Sequence, residues 1–94
     1  MKAIWNNKVI AESTDIVNIE GNAYFPIESI NTEYFKSSDT KSVCPWKGTA
    51  SYYHLQMEGS ENKDAAWLYQ TPNKLAESIT NRIAFWKGVE IIDD

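Results

Sequence analysis

The side chains best suited to chemistry crowd into one stretch, Val43-Cys44-Pro45-Trp46-Lys47-Gly48-Thr49-Ala50-Ser51-Tyr52-Tyr53. Cys44 is the only thiol in the chain. A thiol becomes a nucleophile when a nearby cation, helix N-terminus or histidine lowers its pKa. Lys47, across a proline-containing turn, would supply such a charge. The other reading of Cys44 is a small buried hydrophobe. Lys47-Gly48 also has the makings of an anion site, because glycine permits close backbone approach and lysine adds a point charge. The same pair would equally serve a tight turn with a solvated lysine. His54, the only imidazole, reads as a general base or as a partly exposed sheet histidine. Tyr52 and Tyr69 carry hydroxyls that need partners, so they suit a pocket wall. Trp67 and Tyr24 either complete that wall or pack as core.

Composition removes several function classes. Thirteen acidic residues outnumber nine scattered basic ones, for a net charge of −4. Phosphate-backbone binding draws on a concentrated basic face, so neither nucleic acid nor an anionic membrane is an expected partner. One Cys and one His cannot complete a four-ligand N/S zinc site. No loop carries the spaced Asp and Asn of a calcium site. No metal and no cofactor is therefore expected. A lone cysteine cannot form an internal disulfide and fits a reducing compartment. The N-terminus turns polar by Asn6, unlike a signal peptide. No apolar run approaches the ~20 residues of a membrane span. These features together predict one small, soluble, cytoplasmic domain over residues 1–94. Four Trp and five Tyr suit both a thin core and a lined pocket.

The elements that must position these residues read as mainly antiparallel β. Asn6-Asn7 is a turn signal between Lys2–Asn6 and Val9–Ala11, giving an N-terminal hairpin. Residues 16–20 form a β-branched run, Gly21-Asn22 turns, and Pro26 stops a short strand over 23–25. Residues 26–38 predict a turn of helix or 3₁₀ and an irregular connection, with loop chemistry at Ser37-Ser38-Asp39. A short strand over 40–44 ends at Pro45. The clearest strand is 49–57, with Thr49, Ser51, Tyr53, Leu55 and Met57 on one face and Ala50, Tyr52, His54 and Gln56 on the other. A loop over 58–62 leads to a return strand at 65–70. Thr71-Pro72 predicts the start of a C-terminal helix, with an apolar stripe at Leu75, Ala76, Ile79 and Ile83. Lys87-Gly88 turns into a last strand at 89–92, and Asp93-Asp94 is a solvated end. The recurrence of Trp-Lys-Gly at 46–48 and 86–88 is an echo in turn chemistry. The inventory is about seven short strands and one helix, mainly β within the α+β class.

Four segments carry a resemblance to a known family. They are Tyr24-Phe25-Pro26, Cys44 to Tyr53, Ala65-Ala66-Trp67-Leu68-Tyr69 with Pro72 close behind, and Ile83-Ala84-Phe85-Trp86. In this order they resemble the DUF427 family, a small bacterial and fungal domain of unknown function. The resemblance implies twisted antiparallel sheets in a small barrel-like or Mss4-like arrangement, without the paired Cys-x-x-Cys zinc motifs of Mss4-like proteins. The nucleotidyltransferase-like label that the family also carries finds no support. The chain has no Gly-Ser plus paired-Asp signature and no glycine-rich phosphate loop. Many members place His before the Cys, where this chain has Val43. Many carry a basic residue and an Asp after Tyr-Phe-Pro, where this chain has Ile27, Glu28 and Ser29. The first departure weakens a His-assisted thiol; Glu28 would keep an acidic role.

Three functions follow as expectations. The leading one is binding of a small polar or anionic ligand near the Cys-Pro-Trp-Lys-Gly turn, with Cys44, Lys47, Tyr52, Tyr69, Trp67, Tyr24 and Glu28 as candidate contacts. The second is a small thiol- or lysine-dependent enzyme. The third is an interaction module, a homodimer that buries the aromatic excess.

Overall fold

The computed structural model describes residues 1–93; Asp94 of the expected solvated end lies outside them. Nine strands are described: β1 Lys2–Trp5, β2 Lys8–Glu12, β3 Val17–Ile19, β4 Asn22–Pro26, β5 Phe35–Cys44, β6 Gly48–Met57, β7 Ser60–Leu68, β8 Arg82–Phe85 and β9 Glu90–Ile92. They form two open antiparallel sheets. The larger has the order β3-β4-β8-β7-β6-β5 and the smaller β2-β1-β9. The barrel-like expectation is thereby corrected, because β3 and β5 remain as free edges of the larger sheet.

Local chemistry explains the hairpins. Asn6 and Asn7 both take positive φ, 50° and 63°, as a two-residue turn between β1 and β2 requires. The β6–β7 loop is tighter than composition suggests. Met57 pairs with Ser60, Gln56 with Glu61 and Leu55 with Asn62, so polar residues that resemble a loop are the solvated tips of paired strands. In the same way β5 begins at Phe35, with Ser38 to Thr40 forming a bulge within it. The connection over 26–38 holds two 3₁₀ turns, Ile27–Ser29 and Thr32–Tyr34, as its weak helical spacing predicts.

The C-terminal helix is the main correction. The segment after Thr71-Pro72 is a 3₁₀ turn, Lys74–Ile79, kinked at Ala76. Asn73 occupies the cap position instead, and its backbone N–H donates to the Lys47 carbonyl at 2.8 Å. Ile83, the expected last residue of the helical stripe, belongs to β8 and pairs with Leu68 and Phe25. Leu75 is 85% exposed, whereas Ala76, Ile79 and Ile83 are fully buried, so the first residue of the expected stripe does not share its buried face. Helix nucleation fixes several residues for one hydrogen bond. Here tertiary pairing at both ends draws the segment into a short clip.

The central strands of the larger sheet are buried on both faces, and this positions the candidate site. Adjacent residues on β4, at the end of β7 and on β8 enter separate cores: Phe25 and Tyr24, Leu68 and Tyr69, Ile83 and Ala84. The first of each pair packs with Ala3, Ile10 and Ala11 from the smaller sheet. The second packs beneath Ala76 and Ile79 of the 3₁₀ clip. Alternation of side chains makes this two-sided layering possible.

Two bulges flank β6, one near residues 38–40 of β5 and one near residues 63–65 of β7. Asp64 ties them together. Its carboxylate accepts the Ser38 hydroxyl at 2.6 Å and the Thr40 hydroxyl at 2.8 Å, while its backbone N–H donates to His54 Nδ1 at 3.0 Å. The hydrogen bond from Ser38 holds the Asp64 carboxyl below its ordinary value of 3.8; burial works against this, and Thr40, His54 and Lys87 reinforce it. Stability from a depressed carboxylate is present above the unfolded pKa and is lost as pH falls through the folded one. Asp64→Asn keeps a residue that tolerates the φ of +54° but removes this titration. Urea midpoints of the wild type are therefore expected to fall more steeply below about pH 4 than those of Asp64→Asn. Parallel pH profiles would refute the bulge clamp.

Candidate functional site

Five side chains line a cleft of about 200 Å³ on the clip-covered face of the larger sheet: Lys47, Tyr52, Trp67, Tyr69 and Trp86. Tyr52 of β6 and Trp67 of β7 are directly opposed across the ladder. Tyr69 follows β7 and Trp86 follows β8. Lys47 comes from the β5–β6 turn, which the Asn73 backbone holds in place.

The ring walls are fixed from behind. Trp67 Nε1 donates to the Tyr24 hydroxyl at 3.2 Å, and the two rings meet edge-on with centroids 6.3 Å apart. Trp86 packs edge-on against Trp67 at 5.9 Å and donates its Nε1 to the Asp64 carbonyl at 2.6 Å. The Tyr52 and Ser42 hydroxyls share a hydrogen bond of 2.9 Å. Edge-to-face ring pairs of this kind add about 0.5–1.5 kcal/mol beyond burial.

Lys47 is only 8% exposed and is the one buried charged residue among those described. Its ammonium donates to the Glu20 carboxylate and lies 5.4 Å from the Trp46 ring centre. Burial alone would lower the Lys47 pKa, but the Glu20 hydrogen bond and the fields of Tyr24, Tyr69 and Glu20 outweigh it, so the pKa is raised. Lys47 is thus an ammonium at neutral pH and a poor amine nucleophile. Burial pushes the Tyr69 phenol up, against the pull of Lys47 and with the help of Tyr24, Cys44 and Tyr52. Tyr69 stays a neutral O–H donor.

The structure therefore brings together Lys47, Tyr52, Trp67 and Tyr69 of the expected contacts. Tyr24 is fully buried behind Trp67. Cys44 is half-buried at the end of β5, outside the cleft lining. Glu28 lines a separate depression of about 280 Å³ with Asp15 and Arg82. His54 is a partner of the Asp64 backbone and lies outside the cleft. Two residues were not among the expected contacts. Trp86 had a signal in the repeated Trp-Lys-Gly, whose second copy also folds its lysine over its tryptophan, at 5.2 Å. Glu20 had none, because it meets Lys47 across 27 residues of sequence.

A wider depression of about 900 Å³ lies at the hairpin tips. Its lining includes Asn6, Lys8, Glu33, Gln56, Glu58 and Glu61, all exposed. Solvated side chains of this kind fix no ligand pose, whereas the smaller cleft is built from packed rings and a buried ammonium. Among the described residues, no three His, Cys, Asp or Glu side chains come together as a metal-ligand set, and no helix is long and apolar enough to cross a membrane.

No curated protein matches the sequence. The match to a family is complete, from residue 1 to residue 94, and the family is described as a domain of unknown function. The chain belongs to the DUF427 family.

Proposed function

We propose that the chain binds a small polar or anionic molecule in the cleft beside the Cys-Pro-Trp-Lys-Gly turn. One observation carries the reading: a buried ammonium and a buried phenol, Lys47 and Tyr69, line the same ring-walled cleft. Pockets that bind small molecules combine apolar walls with a few well-placed polar groups. The reading takes residues 1–94 as one soluble cytoplasmic domain, in keeping with a single unpaired cysteine.

A fragment library followed by ¹H–¹⁵N NMR tests the proposal. Shift changes are expected to cluster on Lys47, Tyr52, Tyr69 and the indole N–H signals of Trp67 and Trp86. Hits that scatter over the surface, or that gather only at the hairpin tips, would sink it.

A further inference from the structure

The hydrogen-bond partners around the cleft narrow the chemistry of its ligand. Trp67 Nε1 is committed to Tyr24 and Trp86 Nε1 to the Asp64 carbonyl, while the Tyr52 hydroxyl shares one hydrogen bond with Ser42. Tyr69 differs. It is 4% exposed, and its hydroxyl has no hydrogen-bond partner among the described residues. No fully buried polar side-chain atom among the described residues lacks a partner, so the Tyr69 hydroxyl keeps some exposed surface, and Tyr69 lines the cleft. Lys47 has three donors and no acceptor, and Glu20 takes one of them. The groups left for a ligand are the Lys47 ammonium, a donor and a cation, and the Tyr69 hydroxyl, a donor as well as an acceptor. An apolar ligand would leave the Tyr69 hydroxyl without a partner, and a cationic ligand would be repelled by the Lys47 ammonium.

Size and wall chemistry add to this. An apolar cavity of about 150 Å³ takes benzene, so about 200 Å³ holds one six-membered ring and a small acid group. The walls are the rings of Tyr52, Trp67, Tyr69 and Trp86, which favour another ring in edge-on or offset contact.

Glu20 shows how the acid group is received. It sits on the β3–β4 turn, its side chain 53% exposed, and it already offers a carboxylate to Lys47. We propose that the cleft takes a single-ring aromatic carboxylate, whose ring lies against Tyr52, Trp67 and Trp86 and whose carboxylate replaces Glu20 on Lys47 while accepting the Tyr69 hydroxyl. This assignment rests on the binding reading above. Glu20 is then a built-in competitor that keeps Lys47 paired when the cleft is empty.

The test titrates the full chain with benzoate, its neutral isostere benzamide, tetramethylammonium and inorganic phosphate, reading the Trp67 and Trp86 indole signals. Benzoate is expected to shift both signals saturably, and benzamide to bind at least tenfold more weakly. Tyr69→Phe is expected to weaken benzoate about tenfold, the scale of a hydrogen bond to a charged group. Glu20→Gln, at a half-exposed turn position, is expected to tighten benzoate up to about fivefold, the scale of an exposed ion pair. Both variants keep the shape of the wild-type side chain, so the fold is retained. Benzamide or tetramethylammonium binding as tightly as benzoate would overturn the ligand class and leave the binding cleft standing. So would a cleft that accepts fragments from the library but none of these four probes. A cleft silent to the library and to the probes would overturn both readings. Weaker benzoate binding in Glu20→Gln would overturn the competitor role of Glu20.

Discussion

Gly48→Ala is expected to destabilise the chain by about 2–3 kcal/mol, near the top of the range for a backbone forced into a sparsely populated region. Gly48 has a φ of +112°, and an added Cβ would lie 3.3 Å from the Asn73 backbone nitrogen and 3.5 Å from Pro72 Cα. The first of these contacts is tighter than ordinary packing, and the atoms involved are backbone that cannot swing aside. The same nitrogen donates to the Lys47 carbonyl at 2.8 Å. Alanine therefore has to push the 3₁₀ clip away from the turn that presents Lys47. For a chain of this size, each kcal/mol moves Tm by roughly 4–8 °C, so Tm is expected to fall by about 8–24 °C. Gly21→Ala is the control. Gly21 also has positive φ, +79°, but nothing lies within 4 Å of its added Cβ, so only the backbone strain remains. Equal losses in the two variants would show that the close approach of clip and turn contributes nothing.

Phe25→Ala is expected to lower stability more, by about 3–5 kcal/mol. Phe25 is fully buried and meets Phe85 edge-on, with centroids 5.7 Å apart. It joins the larger sheet to the core that the smaller sheet covers. A small domain has about 5–15 kcal/mol of total stability, so this one truncation removes much of it. Phe25→Leu keeps most of the buried volume and is expected to lose well under half as much. Urea denaturation reads both variants. A loss below about 2 kcal/mol for Phe25→Ala would mean that the core between the sheets relaxes to fill the gap.

The two sites illustrate different degrees of legibility. Asn6-Asn7, Pro26 and the alternation from Thr49 to Met57 state their structure locally, because positive φ, a missing N–H and a period of two are properties of a few adjacent residues. The stripe Leu75, Ala76, Ile79 and Ile83 misled for a related reason. Its spacing fits a helix, but the hydrogen bonds of Asn73 to Lys47 and the pairing of Ile83 with Leu68 are long-range. Ser38 and Thr40 have loop chemistry, yet Asp64 satisfies their hydroxyls inside a bulged sheet.

The sequence by itself determined the family, the mainly β architecture, most of the turns and four of the residues that line the cleft. Those follow from local pattern and motif. Only the tertiary structure decided that the central strands of the larger sheet are buried on both faces, that Cys44 and Glu28 lie outside the cleft lining, and that Lys47 faces the cleft paired with Glu20. Local alternation reports which side chains share a face. What covers that face, and which distant carboxylate meets a buried ammonium, depends on pairings made across the whole chain.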